Sequence, residues 1–503
     1  MTRSFWRGAM WLTVGSFASK ILGAVYRVFL PRLLGDTGVG LFQMAYPLYA
    51  VLLAVSVNGV PIALSKVTAE LRARGQDRVA DQVAVWAFWG LAAAGLLMAV
   101  VMGTEAGWLA AHIFQEPRAR YSIQALAPAL VLVAMQAGLR GYFQGRHDMQ
   151  PTALSQILEQ SVRVAVMFPL AIWLLPRGVA EAAGGATLGA PAGALAGLLY
   201  LVWRRARLPS VRGLLRLPAP RRELGRLVAI ATPMAMAALL FPLMLLVDSV
   251  VVPGRLISIG FTANAATAAY GRLAGEAMPL LNLALVVGTA LAVSLVPTIA
   301  EALAAGLRET AQERVAMGIR AVWLVTLPMA AGLLALATPL CRYLYGEAGA
   351  APALEVLALG TGFLALQQVL GNALQAAGMG WAPVANLLIG AAVKFSLAWW
   401  LVPIWGIRGA AVSTVIAAVV TTLLNWRAWC GRVGTPARSP WATAIVPGAA
   451  AVLMAVVVRL YLLTVHVTPV STLAAIGLGA GLYLGLIVAG GERRFLRALW
   501  NLR

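Results

Sequence analysis

The apolar residues of this chain fall in long unbroken blocks, and that pattern constrains the fold more than any other feature. A helix needs about 20 consecutive apolar residues to cross the hydrocarbon of a bilayer. Fourteen such blocks fit the 503 residues: 9–33, 41–65, 83–103, 122–143, 153–175, 187–203, 227–252, 274–297, 317–340, 353–376, 384–402, 408–430, 442–464 and 470–490. Composition points the same way, with 61% hydrophobic residues and only 11% Asp, Glu, Lys or Arg, against about 25% charged residues in a soluble domain. A soluble globule of this length would lack the polar residues to coat its surface, and the same balance excludes intrinsic disorder. The expected fold class is an all-α integral membrane protein with about 14 transmembrane helices.

The net charge of +21 rests on 36 Arg and 3 Lys. In a soluble chain it would suggest nucleic acid, but membrane proteins keep basic residues in their cytoplasmic loops, and no nucleic-acid partner is expected. With both termini inside, 26 basic residues fall in or beside inner loops, 8 fall outside and 5 lie within spans. That asymmetry places both termini in the cytoplasm. The first block carries Lys20, Arg27 and Arg32, unlike the uncharged core of a cleavable signal peptide, so it is expected to be retained as a span.

The most basic inner segment, 204–226, contains three prolines and divides the chain. We read 1–203 as an N-terminal lobe of six spans, 204–226 as a basic cytoplasmic linker and 227–430 as a second six-span lobe. Residues 431–503 form two extra spans and a basic tail. The lobes carry traces of duplication. Leu64, Ala69, Glu70 and Gly75 match Leu295, Ala300, Glu301 and Gly306 at an offset of 231, and Pro151, Ala153 and Ile157 match Pro383, Ala385 and Ile389 at 232. An even number of spans per repeat makes the halves parallel, an arrangement found among secondary transporters.

An ionisable residue deep in a span costs about 3 kcal/mol on insertion scales, so one that is retained usually faces a cavity or a partner. In span 1, Ser16, Lys20, Gly23 and Arg27 are spaced to share one helix face. Span 5 carries Gln156, Glu159 and Arg163, and Glu159 with Arg163 is an i, i+4 pair able to satisfy itself. Lys394 in span 11 has no acid in its span and Asn386 two turns earlier, while Arg459 in span 13 snorkels outward. Asp248 lies in span 7 with Pro233 and Pro242, which free backbone groups, and Glu276 stands four residues from Arg272. Gln368, Asn372 and Gln375 form an uncharged polar stripe in span 10 that suits either a polar substrate or helix pairing. Cations outnumber acids within the spans, and such a cavity suits an anion, because Arg and Lys make charge-assisted hydrogen bonds to phosphate oxygens. Lys20, Arg27, Lys394, Arg163 and Arg272 are the candidate anion ligands. Asp248, Glu159 and Glu276 are candidates for ion coupling, and Ser16, Gln368, Asn372 and Asn386 for polar lining.

Soluble chemistry is not expected. No lysine follows a glycine as a phosphate-binding Walker loop requires, and no HExxH or paired-carboxylate loop occurs. Cys341 and Cys430, with His112, His147 and His466, show no metal-ligand spacing. No extramembrane segment exceeds about 25 residues, which leaves no room for a soluble catalytic domain.

Four segments carry a family likeness. SKILGAVYRVFLPRLLGDTGVGLFQMAYPLYAVLLAVSVNGVPIALSKVTAE (19–70) resembles the amino-terminal signature of the stage V sporulation protein B group of polysaccharide-biosynthesis membrane proteins. YGRLAGEAMPLLNLALVVGTALAVSLVPTIAE (270–301), LQAAGMGWAPVANLLIGAAVK (374–394) and GIRGAAVSTVI (406–416) extend the resemblance across spans 1 to 12. The group is allied to the MurJ-type lipid II flippases and, more remotely, to the MATE exporters of the MOP superfamily. The resemblance implies two pseudo-symmetric six-helix lobes around a cavity in the bacterial cell membrane, through which a lipid-linked sugar precursor passes from the inner to the outer leaflet. It also implies that Lys20 and Arg27 stand where such relatives bind substrate. Relatives carry an arginine in span 2 as well, whereas no basic residue occurs here between Gln43 and Ser65. That departure counts against lipid II itself and leaves a lipid diphosphate.

The expected function is therefore a non-enzymatic flippase for an undecaprenyl-diphosphate-linked cell-wall or polysaccharide precursor, working by alternating access in growth or sporulation. No cofactor is expected, and coupling to Na+, H+ or the membrane potential is left open. The expected partners are the anionic precursor, membrane lipids and cell-wall synthesis proteins. The rival readings are a multidrug or cation antiporter on the same fold, a membrane glycosyltransferase or ligase, and a non-transporting scaffold.

Overall fold

The computed structural model describes the backbone of residues 2–206, 218–437 and 439–490, and side chains there except at 2–18, 20, 21, 24, 25, 237, 240 and 287–294. Most of the linker at 204–226 and the tail after 490 thus lie outside the described residues. Every regular element among the described residues is helical. Twelve helical stretches are long and apolar enough to cross a membrane. The difference from fourteen lies at two places: the first stretch, Tyr26–Ala73, begins after most of expected span 9–33, whose side chains are largely not described, and 274–297 overlaps side chains that are not described. Exposed apolar side chains such as Trp173, Trp400, Ile404 and Leu463 make up the surface that would meet lipid.

The chain divides into two compact units, residues 1–271 and 272–503. The first unit begins with α1 (Thr2–Ser56), which breaks at Gly35, where φ is 65°. Only glycine adopts that conformation without strain, so one apolar run yields two helical arms. It continues with α2 (Val60–Ala73), α3 (Asp77–Thr104), α4 (Arg120–Gly145), α5 (Gln150–Leu174), α6 (Val179–Thr187), α7 (Gly189–Ala206), α8 (Arg221–Ser258) and α9 (Ala263–Gly271). Helix α1 packs on α5, α8 and α9, while α4 lies between α3 and α7.

Small residues bring several of these helices into backbone contact. Along α7, Gly189, Gly193 and Gly197 recur every fourth residue and so share one face. A Cβ on Gly193 would lie 2.3 Å from the Glu159 carbonyl oxygen, and one on Gly189 would lie 2.6 Å from that of Arg163. This close approach, typical of small-residue stripes in membrane helices, fixes the height and rotation of α5. Gly40 plays the same part between α1 and α9, where a Cβ would meet the Thr267 carbonyl oxygen at 2.2 Å.

The second unit contains α10 (Met278–Ala304), α11 (Arg308–Tyr345), α12 (Ala351–Ala376), α13 (Trp381–Trp405), α14 (Ile407–Arg432), α15 (Ile445–Thr464) and α16 (Pro469–Ala489). Helix α12 is central, touching α10, α11 and α14. The two C-terminal helices pack on each other and on α11. Their shared core includes Leu324, Leu336, Met454 and Ile487, and the Tyr483 hydroxyl donates to the Leu324 carbonyl at 2.6 Å.

Between α3 and α4 a polar clamp closes the first unit. Glu116, 1% exposed, receives two hydrogen bonds from the Arg118 guanidinium at 2.8 and 2.7 Å and a third from the Thr267 hydroxyl at 2.8 Å. Burial alone would favour its neutral form, but the bonds from Arg118 and Thr267 and the Arg118 charge outweigh it and hold the carboxyl below its usual range. A carboxylate with a lowered value contributes stability that is complete above the ordinary glutamate pKa of about 4.3 and is lost as pH falls through the lowered value. Melting curves in detergent are expected to show Glu116→Gln about 1–3 kcal/mol less stable than the wild type at pH 7. The gap should narrow as the pH drops below about 4; a gap that is constant with pH would contradict this account of the clamp.

Candidate functional site

A group of charged and hydroxyl side chains within the spans lies in the first unit, where α1, α4 and α5 meet. Glu159 on α5 is at its centre and is 9% exposed. Arg140, from α4, donates from Nη2 to Glu159 Oε2 at 2.9 Å and from Nε to the Ser155 hydroxyl at 3.0 Å. Ser155 in turn donates to the Thr152 carbonyl at 2.8 Å. Arg163 reaches the other carboxylate oxygen from Nη2 at a longer 3.5 Å. The α7 glycine stripe presses α5 from behind and keeps this face in register.

Helix α1 supplies the opposing wall. Tyr26 is buried, and Arg27 beside it is exposed, its guanidinium 5.9 Å from the Tyr26 ring centre. Both Arg27 and Arg163 approach the Tyr26 hydroxyl. Beyond the Gly35 break, Phe42, Tyr46 and Tyr49 form a ladder with ring-centre separations of 4.8 and 6.4 Å. The tyrosines at 46 and 49 lie within electrostatic reach of Arg163. Three guanidinium groups and one carboxylate thus stand near a group of hydroxyls, a surplus of positive charge chemically able to pair with an anion.

Several sequence-derived candidates fall elsewhere. Ser16 and Lys20 lie outside the described side chains. Asp248 is buried in the first unit near Tyr270, whose hydroxyl reaches toward the Gln43 carbonyl at 3.4 Å. In the second unit Lys394 is 2% exposed. Arg272 faces Glu347 at 3.8 Å, and Glu276 is buried with its carbonyl accepting from the Tyr345 hydroxyl at 3.1 Å. Asn386 donates to Asn425 of α14 at 2.9 Å, and Asn425 donates to the Gln367 carbonyl at 3.4 Å. Asn386 is therefore engaged in joining α13, α14 and α12. Gln368 and Asn372 are half-buried on α12, and the Gln368 side-chain oxygen is buried without a hydrogen-bond partner.

Sequence reasoning missed Arg140, which sorts with the inner-loop charges near the inner end of span 122–143. A signal was present, since Gln136, Arg140 and Gln144 recur every fourth residue on one face of an apolar helix. The i, i+4 pairing of Glu159 with Arg163 is found, but as the weaker of two ion pairs.

The fold and this site define a multi-pass, all-helical integral membrane protein with arginines in excess of acids at one place inside its spans. Residues 5–303 match the family model described as polysaccharide biosynthesis protein, and residues 233–400 match MatE. The chain is 32% identical over 429 residues to stage V sporulation protein B of Bacillus subtilis (strain 168), covering 84% of this chain and 83% of that one. To the lipid II flippase MurJ of the same organism it is 26% identical over 458 residues, covering 85% and 82%. A solved MurJ structure in an inward closed conformation superposes with a TM-score of 0.70 at 14% identity, over 96% of this chain and 99% of that one. The chain belongs to the polysaccharide biosynthesis protein family, and its fold is that of the solved MurJ and MATE structures.

The geometry separates the roles of the arginines. Replacing Arg140 leaves a buried carboxylate held only by the longer contact, a change of the kind that costs about 3–5 kcal/mol. Exposed Arg27 has no such duty. Arg140→Ala is expected to lower the melting temperature in detergent by several degrees and Arg27→Ala by less than about one degree. Equal melting of the two variants would contradict the assignment.

Proposed function

We propose that this protein is a flippase that carries a diphosphate-linked sugar precursor of the cell wall or a related polysaccharide from the inner to the outer leaflet. The observation that supports this most is the pairing of Arg140 and Arg163 with a single carboxylate within the spans, together with Arg27 beside Tyr26, a residue that Arg163 also approaches. A site for organic cations would place acids where these arginines stand. The diphosphate binds Arg27 and Arg163, and Lys20, seven residues before Arg27 in the sequence, is a further candidate ligand. The lipid tail stays in the bilayer, and the site opens alternately to the two sides of the membrane. The kinship with a sporulation protein and with a lipid II flippase supports a lipid-linked precursor as cargo.

Moving two negative charges outward across an inside-negative membrane releases roughly 4.6 kcal/mol per 100 mV, at about 2.3 per charge. The membrane potential therefore suffices to bias export, and both termini remain in the cytoplasm.

Reconstitution tests the reading. Liposomes carrying a fluorescent undecaprenyl-diphosphate-linked sugar in both leaflets are treated with an impermeant quencher. The protein is expected to expose the inner-leaflet pool, and Arg27→Gln with Arg163→Gln is expected to slow this at least tenfold. Failure to move any diphosphate lipid, or transport of organic cations instead, would overturn the proposal.

A further inference from the structure

Glu159 raises a question that anion binding alone does not answer: why a carboxylate stands among the arginines meant for an anion. Its two contacts are unequal. Arg140 is tied to it at 2.9 Å and is anchored by Ser155 at 3.0 Å, whereas Arg163 lies at 3.5 Å. The Arg163 Nε is buried and has no hydrogen-bond partner, so this guanidinium keeps donor capacity that Glu159 does not use. Arg163 and Arg27 also both approach the Tyr26 hydroxyl, which brings two guanidinium groups to one point.

We propose that Glu159 is an internal counter-ion that competes with the diphosphate for Arg163, and that Arg140 is the positioning residue that holds Glu159 back so that the ligand wins. In the empty site Glu159 offsets the repulsion between the guanidinium groups and keeps Arg163 in place. When the headgroup arrives, its phosphate oxygens take over Arg163 while Glu159 remains on Arg140. When it leaves, Glu159 reclaims Arg163 and prevents rebinding. Affinity is thus tuned for release rather than for tightest capture, as a carrier requires, because binding energy that holds the bound state too firmly slows turnover.

This inference rests on the proposed function, but it is tested by binding alone. The probes are a short-chain prenyl-diphosphoryl sugar and its monophosphoryl counterpart, titrated into the full-length detergent-solubilised protein at low salt. Glu159→Gln removes the competitor and is expected to tighten the diphosphoryl probe at least fivefold. In liposomes the same variant should show a lower KM together with a lower kcat. Arg140→Gln frees Glu159 to engage Arg163 fully and is expected to weaken the probe at least fivefold. The double variant Arg140→Gln with Glu159→Gln, which removes one charge of each sign, should return to within about threefold of the wild type, a coupling that independent structural damage would not produce.

Unchanged or weaker binding by a folded Glu159→Gln would overturn the competition. Should that variant fail to fold, the charge-balanced double variant decides, and a tenfold loss of affinity in it would overturn the proposal. If the wild type prefers the monophosphoryl probe, or binds neither, the proposed cargo fails and this inference with it. Normal diphosphate binding with no response to Glu159→Gln removes the inference alone.

Discussion

Everything at the centre of the first unit depends on one constraint, that charge placed in an apolar medium must be neutralised within reach. Glu159 is the residue through which that constraint acts. A buried carboxylate with one arginine would be a local pair on a single helix. Here it is shared between α5 and α4, so the ion pair also joins two spans. The energetic penalty of breaking a buried pair, about 3–5 kcal/mol, makes Arg140 a structural necessity and leaves Arg163 and Arg27 as the cations whose interactions are open to change.

The glycine stripe on α7 and the charges on α5 form a single device. Gly193 lies against the backbone at Glu159 and Gly189 against that at Arg163, so the helix that bears the charged face is seated by backbone contact. Long side chains at these positions would push α5 away and alter both ion pairs. In the second unit polar residues serve the packing in another way, with Asn386 and Asn425 bridging α13 and α14 and Thr422 donating to the Phe363 carbonyl at 3.0 Å. Polar side chains in a membrane protein thus divide into those engaged in joining helices and those that retain capacity for a ligand.

Much of the architecture was legible in the amino-acid sequence, because the bilayer imposes a length on apolar blocks that a one-dimensional reading can measure. The helical class and most spans follow from that alone. What could not be read is pairing between spans: nothing local to residue 140 says that it meets residue 159 and not solvent at the inner face. The glycine repeat at 189, 193 and 197 was visible as a pattern, yet its partner helix was not. Asn386 shows the converse, since its type suits either a sugar hydroxyl or another asparagine, and only the position of Asn425 decides between them. Between spans 1 and 2 no polar loop marks the boundary, and it is the non-helical backbone of Gly35 that separates the two helical arms.

The account stands or falls on where an anion sits in the first unit. The most direct measurement is an electron cryo-microscopy structure of the protein in nanodiscs with a short-chain prenyl-diphosphoryl sugar. The account predicts phosphate density within about 4 Å of both the Arg27 and Arg163 guanidinium groups, with Glu159 still paired to Arg140. Density confined to the arginines of the inner loops, or an intact Glu159–Arg163 contact with no anion between Arg163 and Arg27, would contradict it.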